Sequence, residues 1–399
     1  MSELLTIRDF VIFMGMRLVM IFGSTILSVA VGWHIYKITE NPLALGLIGL
    51  VQFLPFIASF LVAGWVADQV DRRFILLISN SVDAVAVIAV ALFFLNPPEQ
   101  FWLIYLLLVF HGTARSFTHP AQQALLTNLV PEDLFPRAVA MSSSVLKLGQ
   151  LGGPALGGIL IATVNYGSYF VSAVCFGLAA VLSLLYRANL RISEGAALNW
   201  ESITGGFQHM GREPLVLAAV LIDLIIVLFG SVMGLLPIYV QDILGAGPET
   251  LGVLRAAPGL GALVVALILA RTTPTFHMGR MFLAALMAFG CSILVFGLST
   301  TVWISLIALL LYGATDMLSV YVRMTLVQLR TPDALRGRVS AINSVAINAS
   351  NELGDFRAGT MAAAFGPVPS VVIGGAMCLA TALISWRAFP QLRALKVLS

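Results

Sequence analysis

Long apolar runs broken only by short polar turns leave this chain few ways to fold. Twelve such runs can be placed, at roughly 10–36, 44–67, 74–95, 101–126, 137–162, 166–186, 214–238, 250–270, 280–298, 302–326, 338–363 and 368–388. About 20 apolar residues suffice to cross a bilayer as a helix, and a helix satisfies its own backbone hydrogen bonds there. Only 10% of the 399 residues are charged and the mean hydropathy is +0.97. A soluble domain carries about 25% charge, so the surface of this chain is built to face lipid. The first run, starting near Phe10, reads as a span and not as a cleaved leader.

Orientation follows from the basic residues. Of the 22 Lys and Arg, 15 fall in segments on one side, from Arg8, Arg72 and Arg73 through Arg137 to Arg387, Arg393 and Lys396. The loops on the other side hold only Lys37. The positive-inside rule then puts both termini and the polar segment 187–213 in the cytoplasm. That segment separates two six-helix bundles, 1–186 and 214–399.

The halves are related by an internal repeat. Residues 106–158 shifted by 201 positions fall on 307–359 without a gap and with ten identities, among them Gly112/Gly313, Pro131/Pro332, Arg137/Arg338, Gly153/Gly354 and Gly158/Gly359. An offset of half the chain length is the mark of a duplicated bundle.

Several chemistries are excluded. A phosphate-cradling loop needs Gly-Lys-Ser/Thr, and Lys37, Lys147 and Lys396 never follow a glycine. There is no His-Glu-x-x-His, Cys-x-x-Cys or Gly-x-Ser-x-Gly, which argues against a zinc or serine hydrolase. Cys175, Cys291 and Cys378 sit far apart inside apolar runs and have no metal-ligand spacing. The chain is therefore expected to be neither an enzyme nor a metalloprotein, and to need no cofactor and no nucleic acid.

Two segments carry a sharper signal. The turn after the second span reads Gly64-Trp65-Val66-Ala67-Asp68-Gln69-Val70-Asp71-Arg72-Arg73. Gly64 would allow a close helix approach, Asp68 a cap or an ion pair, and Arg72 and Arg73 would stay in the cytoplasm. The fifth span carries Gly149, Gly153-Pro154 and Gly157-Gly158. Its glycines would let two helices touch backbone to backbone, and Pro154 would remove a hydrogen bond and bend the span.

The first segment resembles the signature loop of the major facilitator superfamily, and the second resembles that superfamily's antiporter motif. The segments 112–121, 129–134, 335–344 and 349–354 are similar to the branch of enterobactin-type siderophore exporters and related drug efflux proteins. The resemblance implies an all-α fold of twelve transmembrane helices in two pseudo-symmetric bundles. It also implies proton-coupled export of a small amphipathic solute from the bacterial cytoplasm across the inner membrane, by a monomer in the lipid bilayer. Uptake or lipid flipping by the same fold, or a membrane scaffold, are the competing readings. The family often carries an arginine about four residues before the glycine matching Gly112; Leu108 stands there, with Arg115 later in the helix.

Helices 1, 4, 7 and 10 line the cavity in that family, and each of those spans holds a charge here: Arg17, Arg115, Asp223 and Asp316. A charge at mid-membrane costs ~2.5–3.5 kcal/mol on the lenient scale, so each needs a partner or water. His111, Arg115 and His119 recur every four residues and share one helix face, with Gln122 continuing the stripe. Substrate and proton contacts are expected at Arg17, His111, Arg115, His119, Asp223 and Asp316. Glu352 and Asp355, three apart beside Arg357, are expected as a second proton site, a gate or an internal network.

Overall fold

The computed structural model describes residues 2–95, 101–186, 211, 213–272 and 277–395. The segment 187–213 lies almost wholly outside these residues. Among the described residues all regular structure is helical. The long helices are α1 (Arg8–Thr39), α2 (Pro42–Gln69), α3 (Arg72–Leu95), α4 (Trp102–Leu129), α5 (Phe135–Val164), α6 (Gly167–Leu184), α7 (Pro214–Gly230, with an irregular continuation to Ile243), α8 (Pro248–Arg271), α9 (Met278–Leu298), α10 (Val302–Arg330), α11 (Asp333–Phe365) and α12 (Pro367–Ala388). Ten of these described helices are long and apolar enough to cross a membrane; α4 and α11 are not among the ten. Those two carry the His–Arg–His stripe and the Asn–Glu–Asp–Arg cluster, so polarity and not length sets them apart.

The chain forms two compact units. One comprises Met1–His34, Leu50–Leu198 and Gly247–Gly252; the other comprises Ile35–Gly49, Asn199–Ala246 and Val253–Ser399. In the first, α3 packs against α4 and α6; in the second, α9 packs against α10 and α12. The repeat thus reappears as packing. Shifted by 201, α4 covers 303–330 and α5 covers 336–365, matching the ends of α10 and α11.

The paired glycines explain why the repeat kept them. A Cβ on Gly112 would strike the carbonyl of Gln52 in α2, and one on Gly313 would strike the carbonyl of Pro258 in α8. Each lets one helix backbone touch the next, which a membrane interface needs because lipid gives no hydrophobic drive between helices.

One element departs from the expected continuous span. Beyond Gly230 the backbone of Ser231 turns extended (φ −65°, ψ 122°), and the chain resumes through a 3-10 turn (Met233–Leu235), a single helical turn and a π-type turn (Tyr239–Ile243). Its counterpart α1 runs unbroken over 32 residues.

Candidate functional site

The fifth span's glycines do what their spacing suggests. Side chains added at Gly149, Gly153 and Gly157 would run into Ile21, Thr25 and the Ile26–Val29 turn of α1. Gly158 lies against Gly252, the Cα of Gly252 being 2.9 Å from where a Cβ would stand. Pro154 is buried, yet α5 stays helical through it. Gly64 differs from expectation: nothing lies within 4 Å of where its Cβ would be, so it makes no close helix contact among the described residues. The side chain of Asp68 lies outside the described residues.

In the adjoining turn Asp71 Oδ2 accepts from Arg73 Nη2 at 2.8 Å and Nε at 3.1 Å, and Oδ1 accepts from Nε at 3.3 Å. Arg73 also donates to the carbonyl of Tyr186 at 2.8 Å, tying α3 to the end of α6. Arg72 is buried. Partial burial pushes the Asp71 carboxyl up, but the hydrogen bonds from Arg73 and the charges of Arg73 and Arg72 outweigh it and hold the group below the usual carboxylate range.

The polar stripe of α4 divides in two. His111 is buried and its Nδ1 lies 2.9 Å from Asp83 Oδ1 on α3, an equally buried partner. Arg115 and His119 face outward on the same helix. Asp83 feels the charge of Arg115, and His119 feels both Arg17 and Arg115. Arg17, half-buried on α1, has an Nε with no hydrogen-bond partner among the described residues. Gln122 donates to the Met20 sulfur at 3.1 Å. The first unit therefore brings two arginines, Arg17 and Arg115, to one histidine, His119, beside the buried His111–Asp83 pair.

The second unit is organised differently. Asp223, 2% exposed on α7, meets Arg323 of α10 at 3.2 Å (Oδ2 to Nε) and accepts from Ser319 at 3.0 Å. Arg323, also 2% exposed, donates to Asn343 Oδ1 at 2.8 Å. Sequence reasoning picked out Asp223 and missed Arg323. The signal was available, since Arg323 is the position matching Gln122 under the 201 offset and lies four residues after Ser319 on one face. Asp316 is half-buried, one turn from Tyr312 and within reach of its hydroxyl's field.

On α11, Asp355 and Arg357 grip the interruption in α7. The hydroxyl of Ser231 and the backbone N–H of Gly234 (3.1 Å) both donate to Asp355 Oδ1. Arg357 donates to the carbonyls of Leu228 (3.1 Å) and Phe229 (2.8 Å) and lies over the Phe229 ring. Arg255 of α8 feels both Asp355 and Glu352, and the Glu352 side chain comes up to Gly49 of α2. No cluster of His, Cys, Asp or Glu suited to a metal ion occurs among the described residues. An apolar cavity of about 480 Å³ between α9 and α10 is lined by Cys291, Val295, Ile307, Leu311 and Thr315.

The transmembrane secretion effector family matches this chain over residues 5–398. The chain belongs to that family of major facilitator transporters. It is 28% identical over 373 residues to the MFS-type transporter YfiS of Bacillus subtilis, covering 88% of this chain and 85% of that protein. It is 25% identical over 360 residues to the enterobactin exporter EntS of Citrobacter koseri, covering 90% and 86%. This places it in the enterobactin exporter branch, as a multi-pass inner-membrane transporter and not an enzyme. Among solved structures it shares its fold with a bacterial homologue of the lysosomal transporter Spinster (TM-score 0.78, 14% identity, covering 97% of this chain and 98% of that one). A D-xylose–proton symporter gives a TM-score of 0.68 at 15% identity, covering 99% and 100%.

Proposed function

We propose that this transporter exports a small amphipathic organic anion of the siderophore or drug type from the bacterial cytoplasm, by alternating access and in exchange for protons. The observation that carries the reading is the cluster of Arg17, Arg115 and His119 within apolar helices of the first unit. His111 and Asp83 are paired with each other at 2.9 Å, with Asp83 also in the field of Arg115. Cations held inside a membrane protein at such cost mark a pathway for something negative. The relationship to an enterobactin exporter supports a catechol- or carboxylate-bearing cargo and the outward direction.

The architecture that goes with this reading has all twelve long helices crossing the membrane, as two bundles, 1–186 and 214–399, moving about the cytoplasmic linker 187–213, with both termini cytoplasmic. At 28 and 33 residues, α4 and α11 would extend about 40 Å and 50 Å at 1.5 Å per residue, more than the ~30 Å hydrocarbon core. Part of each polar face meets a protein partner, His111 of α4 with Asp83, and Asp355 and Arg357 of α11 with the interruption in α7. The protein works as a monomer in this proposal.

The test uses everted membrane vesicles, a radiolabelled catecholate siderophore and an imposed pH gradient, acid inside. Accumulation should follow the gradient and collapse with it. A charge-assisted hydrogen bond contributes ~1.5–3 kcal/mol, so Arg17→Gln and Arg115→Gln should each weaken cargo affinity roughly 10- to 100-fold. Accumulation only in right-side-out vesicles would make it an uptake system, and movement of labelled phospholipid instead would make it a flippase. No movement in either orientation would leave a scaffold.

A further inference from the structure

The interruption in α7 has no counterpart in α1; Gly230-Ser231 and Pro237 weaken the helix there, and the groups that satisfy the break are on α11. Under the 201 offset Asp355 stands where the first half has Pro154. A proline side chain accepts nothing. A carboxylate there can hold two donors, and it does.

The local physics is specific. Where Ser231 becomes extended, the last turn of α7 leaves carbonyls without helical partners, and the resumed turn begins with N–H groups that have none. In an unbroken helix the N–H of Gly234 would reach the carbonyl of Gly230. Here it donates to Asp355 Oδ1 at 3.1 Å, beside the hydroxyl of Ser231. On the other side of the gap the carbonyls of Leu228 and Phe229 accept from Arg357. An anion thus sits at the start of one segment and a cation at the end of the other, each favoured by the helix dipole it faces. Gly354 makes this possible, since a Cβ there would press on Ser231 and the Leu228 carbonyl. The far end of the resumed segment is fastened as well. Tyr36 donates to the carboxylate of Asp242 inside the π-type turn, and Tyr239 donates to the Gly297 carbonyl at 3.1 Å.

The charges around Asp355 do not divide evenly. Arg357 spends its hydrogen bonds on the end of α7 while its charge still reaches Asp355, and Arg255 of α8 lies in the field of two carboxylates, Glu352 and Asp355. Tyr312 of α10 feels Asp355 and Asp316, and Cys378 of α12 feels Arg357. The near ends of α2 and α7 add no ionisable group. Glu352 and Asp355 are half-buried and three residues apart on one helix face, and two carboxylates so placed are costly to ionise together, so one of them is placed to accept a proton. Of the two, Asp355 is the one whose charge holds the backbone together.

The geometry points to Asp355 as the site that binds the exchanged proton, and to the segment Ser231–Ile243 as the gate which that proton releases. Ionised, the carboxylate fixes Ser231 and Gly234 and keeps the segment docked. Protonated, it is a weaker acceptor, the gap in α7 loses its clamp on one side, and the segment hinges at the extended Ser231. The inference rests on the proton-exchange part of the proposed function, but its test needs no cargo.

The experiment measures hydrogen–deuterium exchange of the full-length protein in lipid nanodiscs, with the proton as the only ligand. Exchange at 231–243 is normalised to a peptide within α9, which removes the chemical pH dependence. In the parent, normalised protection of 231–243 should fall at least tenfold between about pH 8 and about pH 5, the range open to a shifted buried carboxyl. Asp355→Asn should show low protection at every pH. Ser231→Ala, which keeps the charge and removes one donor, should move the transition to higher pH, because donors to a carboxylate favour its charged form. Protection independent of pH in the parent, or a pH response retained in Asp355→Asn, overturns the proposal. Should the asparagine variant fail to fold on size exclusion, an unmoved transition in Ser231→Ala overturns it equally. A normal exchange response with no gradient-driven transport in vesicles would refute the export reading and leave the gate standing.

Discussion

Replacing Asp223 by asparagine removes one member of an ion pair that is 2% exposed on both sides. The partner Arg323 then keeps Asn343 at 2.8 Å but has lost its counter-charge on α7. Stripping one partner from a buried pair costs ~3–5 kcal/mol, because the remaining charge is left uncompensated in a medium of low polarity. Each unit is close to 200 residues, and for that size 1 kcal/mol moves the melting midpoint by roughly 2–4 °C. The midpoint should therefore fall by at least ~6 °C. With Cys175→Ser and Cys291→Ser in the background, the buried thiol of Cys378 supplies the assay, since a maleimide dye then reaches a thiol only on unfolding. Arg323→Met should cost a similar amount, while Asp223→Leu with Arg323→Met should recover most of the loss, since no charge remains to bury. The reasoning fails if Asp223→Asn melts with the parent, or if the double variant is the sum of the two singles.

Other expectations are more local. Gly158→Val and Gly359→Val should each impair folding by more than ~1–3 kcal/mol, since the added atoms meet the backbones of Gly252 and Gly46, which cannot shift as a side chain would; protein recovered after membrane extraction reports this. Gly64→Val should be tolerated, because nothing lies within 4 Å of its Cβ position, and an expression level below half the parent's would contradict that. Asp71 has a depressed folded-state pKa, so its pairing stabilises above the unfolded value and is lost as pH falls through the folded one. The pair is about one-third exposed, so the effect stays below ~1 kcal/mol after screening. The melting midpoints of Asp71→Asn and parent should differ slightly at neutral pH and converge below about pH 3; a gap that widens on acidification would refute the assignment.

Much of the fold is written in one dimension. Membrane crossing depends on how many apolar residues follow one another, and a chain states that directly. The glycines of α5 are similarly legible, because a spacing of four puts Gly149, Gly153 and Gly157 on one helix face whatever that face meets. The charges behave otherwise. His111 with Asp83, and Asp223 with Arg323, join helices 28 and 100 residues apart in sequence. Which partner a charge finds depends on the rotation of each helix about its axis, and no local pattern records that angle.

By itself, then, the sequence determined the duplicated helical design, the glycine faces and the places where charge is buried. Tertiary structure decided what those charges hold. Gly230-Ser231, Gly234 and Pro237 weaken the helix locally within an apolar run, but they do not say what would satisfy the backbone groups a break exposes. The break persists because Asp355 and Arg357, arriving from a helix more than 120 residues later, satisfy the donors and carbonyls that it exposes. A buried polar backbone group must find a partner, and only the folded chain brings this one within reach.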